Sequence, residues 1–257
     1  MAHCTACESA RTGPDPFYYA WKGRRFDVYR CFDCTHQFVF PQVTESDQAE
    51  IYSDAYFGAS GDWSCGTLRG GYAEAASQLV SESRAILAAL PENSGRLLDI
   101  GCAGGTFLLE ARAVGFTVTG LELNSAQAAA ARNRGLEVLN ERIEDAPSRW
   151  GPFDIVTLLD CLEHVPAPLK ALRKVAGWLV PGGAVFIRGP LANCRLGRLK
   201  EAVRRITGPT KRLPGYPLDA NAFSPRSLEA LLMKAGFDKA IWATETKGFG
   251  QVWARRL

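Results

Sequence analysis

Beyond residue 95, short apolar runs alternate with stretches of helical period. Leu97-Leu98-Asp99-Ile100 is apolar but for one acid, and it meets the turn Gly101-Cys102-Ala103-Gly104-Gly105 at once. Apolar residues then recur at Phe107, Leu108, Ala111 and Val114, a helical spacing. The pattern predicts strand, tight turn, helix. It continues with a strand at Thr117–Leu121, an alanine-rich helix from Ser125 to Arg134 and a strand at Leu136–Leu139. A buried strand at Phe153–Leu158, a helix at Leu169–Leu179 and a strand at Ala184–Arg188 come next, then a helix over 226–235 opened by Ser224-Pro225. Gly115, Gly135 and Gly236 each stand between a helix and an apolar strand, where a left-handed cap belongs, and Pro181-Gly182-Gly183 does the same work by a turn. The last strands, near 239–245 and 249–255, are separated only by Thr246-Lys247-Gly248 and form an antiparallel hairpin. Such alternation predicts an α/β fold with a mostly parallel, doubly wound sheet.

Upstream the pattern changes. Ser46 to Tyr52 begins like a capped helix, a glycine-rich stretch occupies 58–71, and Glu74–Leu90 reads as a helix with Ala75, Leu79, Ile86, Leu87 and Leu90 on one face. In residues 1–45, Cys4-x-x-Cys7 and Cys31-x-x-Cys34 flank two aromatic runs, Phe17–Trp21 and Phe26–Tyr29, which read as a hairpin ending in the second pair. Two such knuckles supply the four thiolates of a closed tetrahedral zinc site. A segment this small needs the metal for much of its stability. Cys4, Cys7, Cys31 and Cys34 are therefore the expected ligands of a structural Zn2+, with His3 and His36 as bystanders. The expected domains are a zinc ribbon at 1–45, a helical lid or linker at 46–95 and a catalytic domain at 96–257 with an insertion at 189–222.

With 257 residues and 47% apolar content, the chain is of globular type and long enough to bury a core. The remaining cysteines are scattered, unlike a disulfide framework. No apolar run is long enough to span a bilayer, and the first residues lack a signal peptide's pattern, so a cytoplasmic protein is expected. A net charge of +3 selects no partner by itself.

The turn that follows β-type residues 97–100 does not fit a dinucleotide fingerprint, because no third glycine falls at the required place. It resembles instead the first motif of class I S-adenosylmethionine (AdoMet)-dependent methyltransferases, [DE]-x-G-x-G-x-G. Asp99, Gly101 and Gly105 match, and Ala103 replaces the middle glycine. The stretch Phe153–Pro166, ending Asp160-Cys161-Leu162-Glu163-His164-Val165-Pro166, closely resembles the family's fourth motif in its "EHV" form. The resemblance implies a seven-stranded Rossmann-like methyltransferase sheet with AdoMet as cofactor. It places Asp99, Gly101, Cys102, Ala103, Gly105, Leu123 and Leu159 around the cofactor. Glu122, after the second strand, is placed to accept bonds from the ribose hydroxyls. Ile143 flanks the adenine and Glu144 reads its amino group, with Asp145 as the alternative. Tyr72, and Tyr56, would reach the cofactor from the lid.

His164 is the first candidate general base for a hydroxyl nucleophile, with Asp160 and Glu163 beside it. The competing reading makes the Glu-His pair a buttress for the following helix. In another, by resemblance to quinone O-methyltransferases, Asp160, Glu163 and His164 hold a divalent ion. The insertion carries Arg195, Arg198, Lys200, Arg204, Arg205, Lys211 and Arg212, with Leu196, Leu199, Val203 and Ile206 on one helix face. It suits a phosphorylated small molecule, an anionic membrane surface or RNA. Tyr216, Asn221 and Phe223 are candidates to line the same cleft. The leading expectation is O- or C-methylation of a small molecule, a sugar or natural-product intermediate. The alternatives are methylation of ribosomal or transfer RNA with the ribbon as recognition element, a quinone or lipid O-methyltransferase, and a non-catalytic AdoMet-binding subunit.

Overall fold

A computed structural model describes residues 2–53, 76–192, 210–213, 217–246 and 248–257. These fall into two compact units, one of residues 1–44, 160–176 and 187–257, the other of residues 45–159 and 177–186.

The alternating pattern becomes the expected sheet. Its strands are β4 (Gly95–Ile100), β5 (Phe116–Leu121), β6 (Glu137–Leu139), β7 (Phe153–Leu159), β8 (Leu179–Pro190), β11 (Ile241–Thr246) and β12 (Phe249–Arg255), in the order β11-β12-β8-β7-β4-β5-β6. β4 pairs in parallel with β5 and β7, Leu97 standing beside Val118 and Ile155, and β5 pairs in parallel with β6. The final hairpin, β11 and β12, is antiparallel. Leu97, Leu98, Ile155, Val156 and Leu158 are all buried. Strands buried on both faces read as continuous apolar runs, which makes them legible from residue order alone.

In the unit built around β4, helices α1 (Glu45–Ile51), α2 (Ala76–Ala89), α3 (Thr106–Ala113) and α4 (Ser125–Asn133) join the strands. Gly115 and Gly135 take the left-handed conformation expected of them, with φ of 110° and 75°. Asn124 caps α4, its side chain accepting from the N–H of Gln127. Residues 181–183 are not a separate turn before a strand at 184. β8 already begins at Leu179, directly after helix α5 (Pro168–Trp178), and Gly182 sits inside it with φ of 74°.

The other unit contains a second sheet. The aromatic runs form the hairpin β1 (Thr12–Trp21) and β2 (Arg24–Cys31), followed by β3 (Gln37–Phe40). This sheet has five strands, in the order β10-β3-β2-β1-β9, because two strands arrive from far along the chain: β9 (Lys211–Leu213) beside β1 and β10 (Asn221–Ala222) beside β3. Helix α6 (Pro225–Ala235) follows, opened by a capping box between Ser224 and Ser227 and closed by Gly236 at φ 96°. Among the described residues no helix is long and apolar enough to cross a membrane.

Candidate active site

The turn after β4 is built from backbone strain and buried acids. Gly101, Ala103 and Gly105 all have positive φ, 77°, 44° and 78°. A Cβ at Gly105 would collide with Leu136 Cδ1, so a side chain there requires Leu136 to shift as well as a left-handed backbone. Ala103 adopts the same left-handed region with a side chain, at a cost of about 1–2 kcal/mol for an L-residue. Gly105 is the N-cap of α3 and offers no side-chain cap, so the first N–H groups of that helix are left for other acceptors. Asp99 is buried, accepts a hydrogen bond from Thr157 Oγ1 at 2.7 Å, and its carboxyl is pushed up to about 7 by burial. Cys102 is buried too, and burial pushes its thiol well above the ordinary value.

Glu122 joins this turn to the end of β5. One carboxylate oxygen accepts the N–H of Ala103 at 2.8 Å, the other that of Asn124 at 2.7 Å. Burial raises its carboxyl above the usual range, opposed by those backbone donors. Asn140 Nδ2 donates to the carbonyls of Glu122 and Leu123 at 2.8 and 2.9 Å, tying the loop after β6 to the loop after β5. Ile143 is buried beyond it. Glu144 lies 3.5 Å from Arg142, which also pairs with Glu45 at 2.9 Å. Leu159 is half-buried at the end of β7.

This donor set suits AdoMet: a two-oxygen acceptor for a ribose diol, uncapped helix N–H groups for a carboxylate, and an apolar wall at Ile143 for a purine. Asp99, Gly101, Cys102, Ala103, Gly105, Glu122 and Leu123 are brought together at the ends of β4 and β5. Tyr56 and Tyr72 lie outside the described residues.

The second candidate site belongs to the other unit. After Asp160, at φ 49°, a single 3-10 turn spans Leu162–His164. His164 Nδ1 lies 3.2 Å from the carbonyl oxygen of Leu218 and 3.3 Å from Asp219 Oδ1. A carbonyl only accepts, so the proton sits on Nδ1 and the Nε2 lone pair is the basic one. Burial lowers the pKa of this histidine, and the Asp219 carboxylate opposes the fall. Glu163 is buried, its Oε1 3.9 Å from His164 Nε2, and its carboxyl is raised well above the usual range by burial and then by Asp160. Gly189 makes room for that carboxyl: a Cβ there would lie 3.2 Å from Glu163 Oε2.

Asp160, Glu163 and His164 do not converge as metal ligands would. Asp160 pairs with Arg188 at 3.1 Å, and among the described residues the metal-ligating cluster is Cys4, Cys7, Cys31 and Cys34. The four Sγ atoms lie within 4.8 Å of one another, with Cys4–Cys34 and Cys7–Cys31 both at 3.6 Å. Tetrahedral zinc with Zn–S bonds of about 2.3 Å requires S–S edges of about 3.8 Å, so these residues fit the ion.

The sequence reading missed Asp219 and Leu218 as partners of His164, and Arg188 as partner of Asp160. No local pattern marks them, since the contacts are made far along the chain. Asn221 and Phe223 were expected to line a cleft. Both are buried, at 2% and 4% exposure; Asn221 is taken up by hydrogen bonds within the fold, while Phe223 stacks on His36 at 4.7 Å and also lines a small cavity with Leu162, Glu163 and Gly189. His36 is fully buried, while His3 is exposed. Of the basic insertion, Lys211 and Arg212 lie in β9, and Arg212 donates to the carbonyl of Ala20. Arg195, Arg198, Lys200, Arg204, Arg205, the apolar face of Leu196, Leu199, Val203 and Ile206, and Tyr216 lie outside the described residues.

A family model for a methyltransferase domain matches residues 72–240. The ubiquinone biosynthesis O-methyltransferase of Vibrio parahaemolyticus is 39% identical over 98 residues, covering 35% of this chain and 42% of that protein. The protein of the same name from Pseudomonas aeruginosa is 40% identical over 103 residues, covering 36% and 43%. The chain thus spans about two fifths of the length of these relatives. Among solved structures, magnesium protoporphyrin IX methyltransferase from Synechocystis PCC 6803, with bound SAH, superposes with a TM-score of 0.58 at 16% identity, over 83% of this chain and 100% of that one. A SAM-dependent methyltransferase from Methanosarcina mazei does so with a TM-score of 0.53 at 24% identity, over 67% and 97%. At these identities the two structures establish the fold.

Proposed function

The chain belongs to the methyltransferase-domain family matched over residues 72–240, and from that premise we propose that it is an AdoMet-dependent enzyme that methylates a hydroxyl oxygen of a small molecule. When bound, the cofactor supplies a sulfonium-activated methyl group. Glu122 would hold the ribose, the turn 101–105 with the start of α3 would receive the methionine end, and Ile143 and Glu144 would take the adenine.

The chemistry left to the protein is alignment and one proton. A hydroxyl is a poor nucleophile until its proton is removed, and a positioned base contributes about 10²–10⁴-fold. His164 is that base. The observation that carries this is the Leu218 carbonyl 3.2 Å from Nδ1, which keeps the Nε2 lone pair as the proton acceptor. The lowered pKa keeps the ring neutral, and so ready to accept, at neutral pH. Asp219 then stabilises the imidazolium that forms. The proton of an acceptor hydroxyl would pass to His164 Nε2.

The relatives' names, ubiquinone biosynthesis O-methyltransferase, support an oxygen acceptor of the quinone-precursor kind over the sugar or natural-product acceptor expected from the ribbon. They also support a small molecule over RNA. The ribbon residues Cys4, Cys7, Cys31 and Cys34 hold a structural zinc. Release of S-adenosylhomocysteine from AdoMet, measured against phenolic, sugar and RNA acceptors, tests the reading. Turnover on a phenol that falls at least about a hundredfold in His164→Gln supports it. Turnover on RNA alone, or full turnover in His164→Gln, overturns it.

A further inference from the structure

Asn221 lies on β10 with 2% of its surface exposed. Its side-chain amide offers four hydrogen-bonding positions, two lone pairs and two N–H groups, and all are matched. Nδ2 donates to the Val165 carbonyl at 2.7 Å and, more weakly, to that of Glu163 at 3.5 Å. Oδ1 accepts from the Thr5 hydroxyl at 2.9 Å and from His36 Nε2 at 3.0 Å. The two backbone carbonyls only accept, which fixes the orientation of the amide and puts the His36 proton on Nε2.

The partners on each side are what matter. Thr5 stands between Cys4 and Cys7, and His36 follows Cys34, so Oδ1 touches both cysteine knuckles. Glu163 and Val165 flank His164, so Nδ2 holds the backbone on both sides of the imidazole. The same short segment carries Leu218 and Asp219, which meet His164 Nδ1 at 3.2 and 3.3 Å. Phe223, also on it, stacks on His36 at 4.7 Å. Segment 217–223 is therefore pinned to the knuckles through Asn221 and Phe223, and presents its acceptors to His164.

We propose that Asn221 is a positioning residue that makes the placement of His164 depend on the closed cysteine cluster, so that the ribbon serves as a brace for the candidate base. Its consequence for catalysis rests on the reading of His164 given above. The structural coupling stands apart from that reading and is tested apart from it.

The chain has three histidines, so nitrogen-15 imidazole spectra of the full-length, zinc-loaded protein resolve each one. Wild type is expected to show His164 in a single tautomer, protonated on Nδ1. In Asn221→Ser, and to a lesser degree in Thr5→Val, that fixed tautomer is lost while bound zinc stays at the wild-type level. Thr5→Val removes one hydroxyl at a half-buried position and carries the test if the first variant fails to fold. Zinc removal by a chelator produces the same loss in wild type and adds nothing further in Asn221→Ser. An unchanged His164 spectrum in a folded, zinc-loaded variant, or after chelation, overturns the proposal. Activity separates the two readings. In Asn221→Ser kcat falls about tenfold or more with KM retained, and the fall disappears in a His164→Gln background. Full activity in His164→Gln alone would defeat the base assignment, while the spectra still decide the coupling.

Discussion

The backbone N–H of Ala103 donates to the carboxylate of Glu122 at 2.8 Å. The acid that follows one strand is thereby tied to the turn that follows its neighbour. Glu122 is preorganised by this bond and by the N–H of Asn124 at 2.7 Å, with lone pairs remaining for a diol.

Replacing Glu122 should therefore weaken cofactor binding. A hydrogen bond to a charged acceptor contributes about 1.5–3 kcal/mol, so Glu122→Ala should raise the dissociation constant for S-adenosylhomocysteine by about 10–100-fold in titration calorimetry. Because burial raises this carboxyl, affinity should also fall with decreasing pH sooner than an ordinary glutamate would require. Unchanged affinity in Glu122→Ala would place the ribose elsewhere.

Asp99 gives the protein a pH-dependent stability. Its carboxyl is held at about 7 in the fold and at about 3.9 when exposed in the unfolded chain. Between those values the unfolded chain has lost a proton that the folded one keeps, so stability falls as pH rises. The contribution is complete below about pH 4 and is lost as pH climbs through about 7. Asp99→Asn keeps an acceptor for Thr157 and cannot ionise. It should melt above wild type at pH 8, with the difference closing towards pH 4, in thermal melts across that range. A pH-independent difference would contradict the assignment.

Ala103 and Gly105 predict opposite outcomes for opposite swaps. Ala103→Gly removes left-handed strain of about 1–2 kcal/mol against a glycine entropy cost of about 0.5–1 kcal/mol. It should be neutral to stabilising, by up to about 1.5 kcal/mol. Gly105→Ala adds strain at φ 78° and a clash with Leu136 Cδ1, and should lower stability by more than about 1 kcal/mol. Chemical denaturation of both variants checks this, and a stabilised Gly105→Ala would be the contradicting result.

The cysteine cluster should bind about one zinc ion per chain. Cys7→Ser should lose most of the metal and lower the melting temperature, whereas Cys102→Ser should retain it. Elemental analysis with melts after chelation decides the point. Zinc retained in Cys7→Ser would move the site away from the four thiolates.

Much of this was readable from residues in order. Apolar runs such as Leu97–Ile100 and Phe153–Leu158 announce buried parallel strands, and Gly115, Gly135 and Gly236 mark helix ends because the chain leaves each helix there through a positive φ. The paired cysteines announce their own cluster. Boundaries were less legible: β8 begins at Leu179 because Gly182 is absorbed into the strand. Least legible was what His164 leans on. Asp219 and Asn221 sit in a stretch with no period and no motif, and their roles come from β10 pairing with β3, a contact that no local pattern encodes.

The most direct test gives the purified protein methyl-labelled AdoMet and a cell extract divided into polar metabolites, lipids and RNA, with His164→Gln alongside. The account predicts label in a small-molecule or lipid-soluble hydroxyl compound, lost in the variant. Label confined to RNA, or label undiminished in His164→Gln, would contradict it.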